Sequence, residues 1–423
     1  MNDMLGLLFR RNGKGYRRVS PLVLAFLILL FAPSFTLAVE PEDIPGNIHI
    51  GRLKIHPSLN VKEEYTDNIF READSEKGSA ITTVSPGILF QLPIRKHFLQ
   101  IDYHADLVKA AKYHDAYDTD SHFANLLLNL DFNRLNILLG NNWAKDSTPP
   151  DFENDIRNDY YQNRAFFEAS YKLPGRYKVK AFYSNEFRDF DDYRKVGQPN
   201  PEYDNYKQNE AGVALYYRFL PLTSVLFEYA FTTISNEDID LPDTDSDSHR
   251  FWLGLAWEPT AKINGSIKGG YVTRDYKEAG DDWDGFGMEG DIEYKYSSRT
   301  SFNLKGFRKL LDSSVTQMAP GGKAGDYGTY YVSTGGALSA SHKLSHKLSV
   351  LADVSYFNDH YKEKGTVGKR RDDDRVGFGV GLDYQIQRWL GFRLKYNYED
   401  NDSNVKAEEY RENKVMGIIS LVF

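Results

Sequence analysis

Asp243-Thr244-Asp245-Ser246-Asp247 sets three carboxylates at i, i+2 and i+4, the spacing with which an EF-hand-type loop begins to wrap a calcium ion. The frame then fails. Ser248 stands where that loop needs its turn glycine, and no glutamate closes it, so an ordinary solvated acidic loop is the simpler reading. Asp281-Asp282-Trp283-Asp284 has the residue types to hold a divalent ion against phosphates, or to stack an indole on a sugar, but it too reads first as a polar loop. Gly377-Phe378-Gly379-Val380-Gly381 is no phosphate cradle: glycines at every second position put small groups on one face of a strand and Phe378, Val380 and Leu382 on the other. There is no His-Glu-x-x-His, no Gly-x-Ser-x-Gly and no local Ser/His/Asp arrangement, and the 10 His are scattered. The absence of cysteine excludes a disulfide framework, a lipoprotein attachment site and a Cys-ligated metal. The sequence therefore assigns no catalytic, cofactor-binding or metal-ligating residue, and an enzyme is not expected.

The chemistry that remains is distributed along alternating segments. Leu99, Ile101, Tyr103, Ala105 and Leu107 interleave with Gln100, Asp102, His104 and Asp106. Leu390, Phe392, Leu394, Tyr396 and Tyr398 interleave with Gly391, Arg393, Lys395, Asn397 and Glu399. A charge at the midplane of a bilayer costs ~2–4 kcal/mol on the lipid face of a strand, so the polar set of such a segment must face a wet lumen. Parity extends the candidate lumen wall to Lys54, His56, Asn60 and Lys62, to Asn125, Asn129 and Asp131, to Lys178 and Lys180, to Asn303 and Lys305, and to Asp353. Both signs of charge are interspersed with amides. Such a wall hydrogen-bonds hydroxyl-rich chains and selects poorly between ions, although any water-filled porin needs a polar wall. No line of aromatics is assignable to the lumen from sequence.

The elements that must position these residues follow from the connections. Short turns fall at 93–96, 133–134, 173–176, 220–222, 259–261, 297–299, 343–345 and 387–389. Longer polar connections fall near 67–79, 113–117, 146–157, 191–205, 235–248, 277–285, 312–325, 362–374 and 402–411. Eight short turns alternating with nine long loops require 18 strands, with both termini on the short-turn side. The expected fold is all-β: a single closed, antiparallel transmembrane β-barrel of about 18 strands with periplasmic termini, in residues 39–423. A soluble β-sandwich or propeller fits neither the strand lengths nor the strict asymmetry of the turns.

Residues 1–38 are expected to be a cleaved signal peptide. Arg10, Arg11, Lys14, Arg17 and Arg18 form its basic region, Pro21 to Ala32 its apolar core, and Thr36-Leu37-Ala38 the small residues before a cut at Val39. As a membrane anchor that apolar core is short, reaching roughly 18 Å where the hydrocarbon layer needs ~30 Å. Mean hydropathy of -0.54 gives the whole chain a soluble look, because a barrel carries its membrane signal only in every second residue. The 29 Tyr and 26 Phe suit aromatic girdles at two membrane interfaces, and a net charge of -8 argues against nucleic acid as a partner.

Pro57-Ser58-Leu59-Asn60-Val61-Lys62-Glu63-Glu64-Tyr65-Thr66-Asp67-Asn68-Ile69-Phe70, followed by Ile81 and by Ser85-Pro86-Gly87-Ile88-Leu89-Phe90, resembles the opening of the putative β-barrel porin type 2 family. These outer-membrane barrels are associated with exopolysaccharide and capsule biosynthesis operons. The resemblance implies a bacterial outer-membrane location and export of a secreted or capsular polysaccharide. The implied partners are lipopolysaccharide, the barrel-assembly machinery, the polysaccharide itself and a periplasmic polysaccharide-export protein; no cofactor comes with it. Read without the family, Tyr65 to Asn68 is the outer rim of the first strand, with Tyr at the interface and Asp-Asn turning the chain into the first long loop. A rim contact with an exported glycan is the functional alternative. At the level of the whole protein, a general or carbohydrate-uptake diffusion porin competes with the conduit, and a structural or adhesive barrel stands further off.

Overall fold

The computed structural model describes residues 9–11, 17–19, 48–148, 157–191, 205–236, 245–257, 262–277, 281–312, 330–362 and 370–423. Eighteen strands close into one antiparallel barrel. In chain order they are β1 Leu53–Thr66, β2 Ser79–Ile94, β3 His97–Ala110, β4 Thr119–Phe132, β5 Leu135–Thr148 and β6 Asn158–Lys172. Next come β7 Tyr177–Phe190, β8 Tyr206–Leu220, β9 Thr223–Asn236, β10 Ser246–Trp257, β11 Ile263–Tyr276 and β12 Trp283–Lys295. The last six are β13 Thr300–Asp312, β14 Tyr330–Lys343, β15 Leu348–Tyr361, β16 Asp372–Gln387, β17 Leu390–Ser403 and β18 Tyr410–Val422. A one-turn helix α1, His114–Tyr117, sits between β3 and β4, and Ile48–Ile50 pairs with the start of β1. Outside the barrel, Phe9–Arg11 pairs with Arg17–Val19. The apolar core expected at Pro21 to Ala32 and the turn expected at 259–261 lie outside the described residues.

Strand polarity follows the period of two. Tyr103, Leu215, Leu253, Val354, Val380 and Ile419 are exposed on one face, while their neighbours in sequence face the other way. An exposed apolar side chain on every second residue is what a lipid-facing wall requires. From the middle of the strands toward the outer loops this face carries tyrosines whose hydroxyls are tied to the next strand. Tyr103 Oη meets His122 Nδ1 at 2.9 Å, and Tyr183, Tyr271 and Tyr356 donate to Asn209, Asp284 and Asp374. A ring in the interface with its hydroxyl held at the polar edge fixes the depth of the barrel in the bilayer.

Closure is made between β1 and β18. Their register runs from Thr66↔Lys414 to Ser58↔Val422, and the Phe423 N–H donates to Pro57 O at 2.9 Å. The Phe423 ring stacks on Trp389 at a centroid separation of 6.0 Å. The rim segment Tyr65 to Asn68 is part of this seam. Thr66 Oγ1 donates to Glu412 at 2.7 Å, and Asp67 accepts from the backbone N–H and the amide of Asn413 at 2.8 and 2.7 Å. Asn68, fully buried, donates to Arg411 O and Glu72 O. The segment is thus committed to structure, with Tyr65 alone pointing out toward the interface.

Interior rings pack over glycines. Phe166 lies opposite Gly140, Phe182 opposite Gly212 and Phe357 opposite Gly335, each ring folded onto the bare backbone. A Cβ at Gly212 would stand 2.2 Å from Phe182 Cζ and 2.7 Å from Tyr229 O, whereas at Gly306, on the lipid face, it would meet only Gly335 O at 3.7 Å. Gly212→Ala should therefore destabilise the barrel by about 1–3 kcal/mol, the cost of overpacking, and Gly306→Ala should be close to neutral; urea unfolding midpoints in detergent or lipid compare the two. Deleting Phe423 should lower the folded, heat-modifiable protein in the outer membrane severalfold. Deleting one residue between Glu237 and Asp243 should not, and equal levels of the two would contradict the role given to the seam.

Candidate transport path through the barrel

Cross-strand register sorts the interior without ambiguity, because directly opposed residues share a face. Lys54, His56, Asn60 and Lys62 are opposed by Gln91, Leu89, Ser85 and Thr83. Gln100 and Asp102 are opposed by Leu127 and Asn125, Asp106 by Ser121, and His104 by Phe123, on which its ring stacks at 4.8 Å. Asn129 and Asp131 follow on the same face of β4. Lys178 and Lys180 are opposed by Tyr216 and Ala214, and Asn303 and Lys305 by Ser339 and Ala337. Asp353 lies opposite Gly379, and Arg393, Lys395, Asn397 and Glu399 opposite Asp383, Gly381, Gly379 and Gly377. All of these lie on the face turned away from the exposed apolar rings.

They are not all equally accessible. His56 and Asn129 are each only 2% exposed, so neither offers its polar atoms to a solute, and both imidazole nitrogens of His56 lack a hydrogen-bond partner among the described residues. Lys180, Asn303, Asp353, Arg393 and Lys395 are brought together around a cavity of about 710 Å³ in the inner half of the lumen. Glu228, Lys268, Asp291 and Ser339 also line it. Lining residues drawn from strands between β7 and β17 show that this face is the barrel interior.

Many charges of the wall are matched to one another. Lys395 Nζ reaches Asp353 Oδ1 at 2.9 Å across the bare Gly379 and Gly381 of β16, whose missing side chains leave the pair its room. Arg393 is bidentate on Asp383, and Lys305 faces Asp291 at 3.5 Å, with Asn303 donating to the same carboxylate at 2.9 Å. Lys180 lies 3.8 Å from Glu168, and Lys62 3.3 Å from Glu64. A longer relay joins Glu210, Arg250, Glu228, Lys268 and Glu289 across β8 to β12. Trp252 lies beneath Arg250 and Lys268, at 4.6 and 4.5 Å from its ring.

Aromatics do line the interior, contrary to what the sequence allowed. Phe166, Phe182, Trp252, Phe307 and Phe357 all face inward. Where two rings are adjacent, as in Phe166-Phe167, Tyr216-Tyr217 and Phe251-Trp252, alternation alone cannot say which one is inside. These inner rings are packed over glycines or under cations, so they form no continuous track. The acidic side of the relay was also missed, although Glu289, Asp291 and Glu293 show the alternation that could have revealed it. Trp283 is inward and buried against Tyr330 and Val332, which removes it as a platform for sugar. Asp245 accepts from the Asn236 N–H and pairs with Lys277 at 2.8 Å; Asp243 lies outside the described residues, and no metal-ligand cluster occurs among the described ones.

The outer mouth is narrowed on the β1–β6 side. Ile69 and Phe70 of the first loop pack on Ile81 and Ala110, with Ala116 and Tyr117 of α1 against them. Arg157 holds α1 in place: its Nε donates to Tyr117 O at 2.7 Å, its Nη1 to Ser147 Oγ at 3.0 Å, and its guanidinium lies 4.5 Å from the Tyr117 ring. Burial pulls the Arg157 pKa down and pushes the Tyr117 phenol up, and the phenol stays neutral at physiological pH. Arg71 lies 3.5 Å from Glu412 and 3.6 Å from Glu399. Burial would lower its pKa, but Tyr410, Glu399 and Glu412 together raise it, so its cation is firmly retained.

The sequence matches the family described as "Putative beta-barrel porin 2" over residues 44–421. The chain belongs to that family. It is an outer-membrane β-barrel porin, in keeping with the closed barrel and its lipid-facing rings. Among solved structures it is similar to the outer membrane protein OpdK of Pseudomonas aeruginosa (10% identity, 87% of this chain and 99% of that one, TM-score 0.46). OccAB4 of Acinetobacter baumannii gives 11% identity, 91% and 100% coverage and a TM-score of 0.46. A bacterial polysaccharide outer membrane secretin gives 9%, 87% and 98%, and 0.38. No curated protein matches the sequence.

For this porin the Arg157 contacts make a direct prediction about the mouth. Hydrogen bonds from a charged group contribute ~1.5–3 kcal/mol each, so Arg157→Ala should release α1 and raise single-channel conductance in planar bilayers. Unchanged conductance and noise would show that α1 does not constrict the path.

Proposed function

We propose that this porin is a passive conduit through which a secreted or capsular polysaccharide leaves the cell, handed over by a periplasmic export protein. The observation that carries the reading is the charge-matched wall. Lys395–Asp353, Lys305–Asp291, Arg393–Asp383 and the relay from Glu210 to Glu289 cancel their fields locally and leave amides and hydroxyls to bond a passing chain. A long hydroxyl-rich polymer is then held by many weak contacts and by no deep electrostatic trap. Membership of a family tied to exopolysaccharide and capsule operons supports the outward direction. The family and the paired wall support a channel that performs no chemistry of its own, with residues 1–38 removed during export so that the mature protein begins at Val39.

A second reading, uptake of a small solute, is favoured by one observation: the first loop, α1 and Arg157 fold into the outer mouth, which suits a selective entrance. The two readings part in a deletion strain. The conduit requires surface polysaccharide to fall while its cytoplasmic synthesis continues. Lys395→Ala alone should leave export nearly normal, whereas bulky residues at Asn303, Ser339 and Asn397 together should block it. Unchanged polymer alongside lost uptake of a small sugar would assign the protein to nutrient entry.

A further inference from the structure

The charge of the connections is sharply polarised along the barrel axis. The eight short turns, with Gly51-Arg52, hold nine Lys or Arg and a single acid, Glu258. The nine outer loops hold 14 Lys or Arg against 25 Asp or Glu. The inner rim is therefore a basic collar on an acidic protein. Arg52, Arg95, Arg134, Arg299 and Arg388 are exposed in it, and none forms an ion pair with a described carboxylate. Arg52 and Arg95, with His49 and Lys54, line a concave pocket of about 470 Å³ beside the mouth.

Register says what this collar addresses. Lys172, Lys295 and Lys343, the exposed last residues of β6, β12 and β14, are opposed by Lys178, Ser301 and Ser349 on the interior face. Of the three, Lys295 has a carboxylate nearby, Glu293 at 3.8 Å. These lysines continue the interior face at the inner mouth, while lipid headgroups meet the opposite face. Clustered cations at a low-dielectric opening raise the local concentration and capture rate of an anion by roughly 10–10³-fold. Beyond the collar the wall pairs many of its own charges and the loops are acidic, so an anion is drawn to the inner mouth and does not bind again at the exit.

We propose that the inner collar selects an anionic, carboxylate-bearing polysaccharide on the periplasmic side. This rests on the conduit reading and adds the charge of the substrate. Single-channel recording separates the two. Oligogalacturonate added on the short-turn side should interrupt the current about tenfold more often than maltodextrin of equal length, and this excess should disappear at high salt and on addition from the loop side. The triple variant Arg95→Gln, Arg134→Gln, Arg299→Gln should lose most of the excess; if it does not insert, the salt series on the native protein decides the point. Equal interruption by both oligomers from the short-turn side overturns the collar and leaves the conduit standing, with the rim then fitting an acidic protein surface instead. If neither oligomer interrupts the current from either side, the conduit reading itself fails.

Discussion

A sheet placed in hydrocarbon has one overriding constraint: no strand edge can be left open, since an unsatisfied backbone group there costs several kcal/mol. Here everything turns on the pairing of β1 with β18. The register Thr66↔Lys414 to Ser58↔Val422 fixes which residues of both strands face inward, and each following strand inherits its face from its neighbour. A slip of one residue at this seam would turn the lumen wall toward lipid. The hydrogen bonds of Thr66, Asp67 and Asn68 to β18 and its approach resist such a slip. That explains in physical terms why the segment carrying the family resemblance is the one that stitches first strand to last.

Given closure, the interior is governed by two local devices. Bare glycines accept rings or ion pairs from adjacent strands, as Gly212 accepts Phe182 and Gly379 accepts Asp353. Cross-strand charge pairing then removes the field that unmatched residues would create. Both devices use the strand two away as well as the immediate neighbour, so the wall behaves as one knitted surface. Its polarity along the axis is set by the connections instead, basic at the turns and acidic at the loops.

Much of this was legible in sequence because barrels write their membrane signal in parity and turn length. The eighteen strands and their order follow from alternation and from short turns such as Asn133-Arg134. Lumen residues flanked by aliphatics, such as Asp102 between Ile101 and Tyr103, could be assigned without register. Paired aromatics such as Phe251-Trp252 could not, because both parities look apolar. Burial within the wall was equally hidden: Asn129 has the right parity but accepts a bond from Asn136 at 2.7 Å and is closed to solvent. The inward folding of Ile69, Phe70 and Tyr117 depends on contacts between separate loops, which no local pattern encodes.

Service as a polysaccharide conduit requires that a long hydroxyl-rich chain pass through this barrel. Liposomes loaded with a ladder of linear neutral oligosaccharides, with and without the purified porin, test it most directly by the size profile retained after dilution. Passage predicts that the porin empties the liposomes of oligomers across the ladder while protein-free liposomes keep them. Retention of every oligomer, together with free leakage of a monosaccharide, would contradict it.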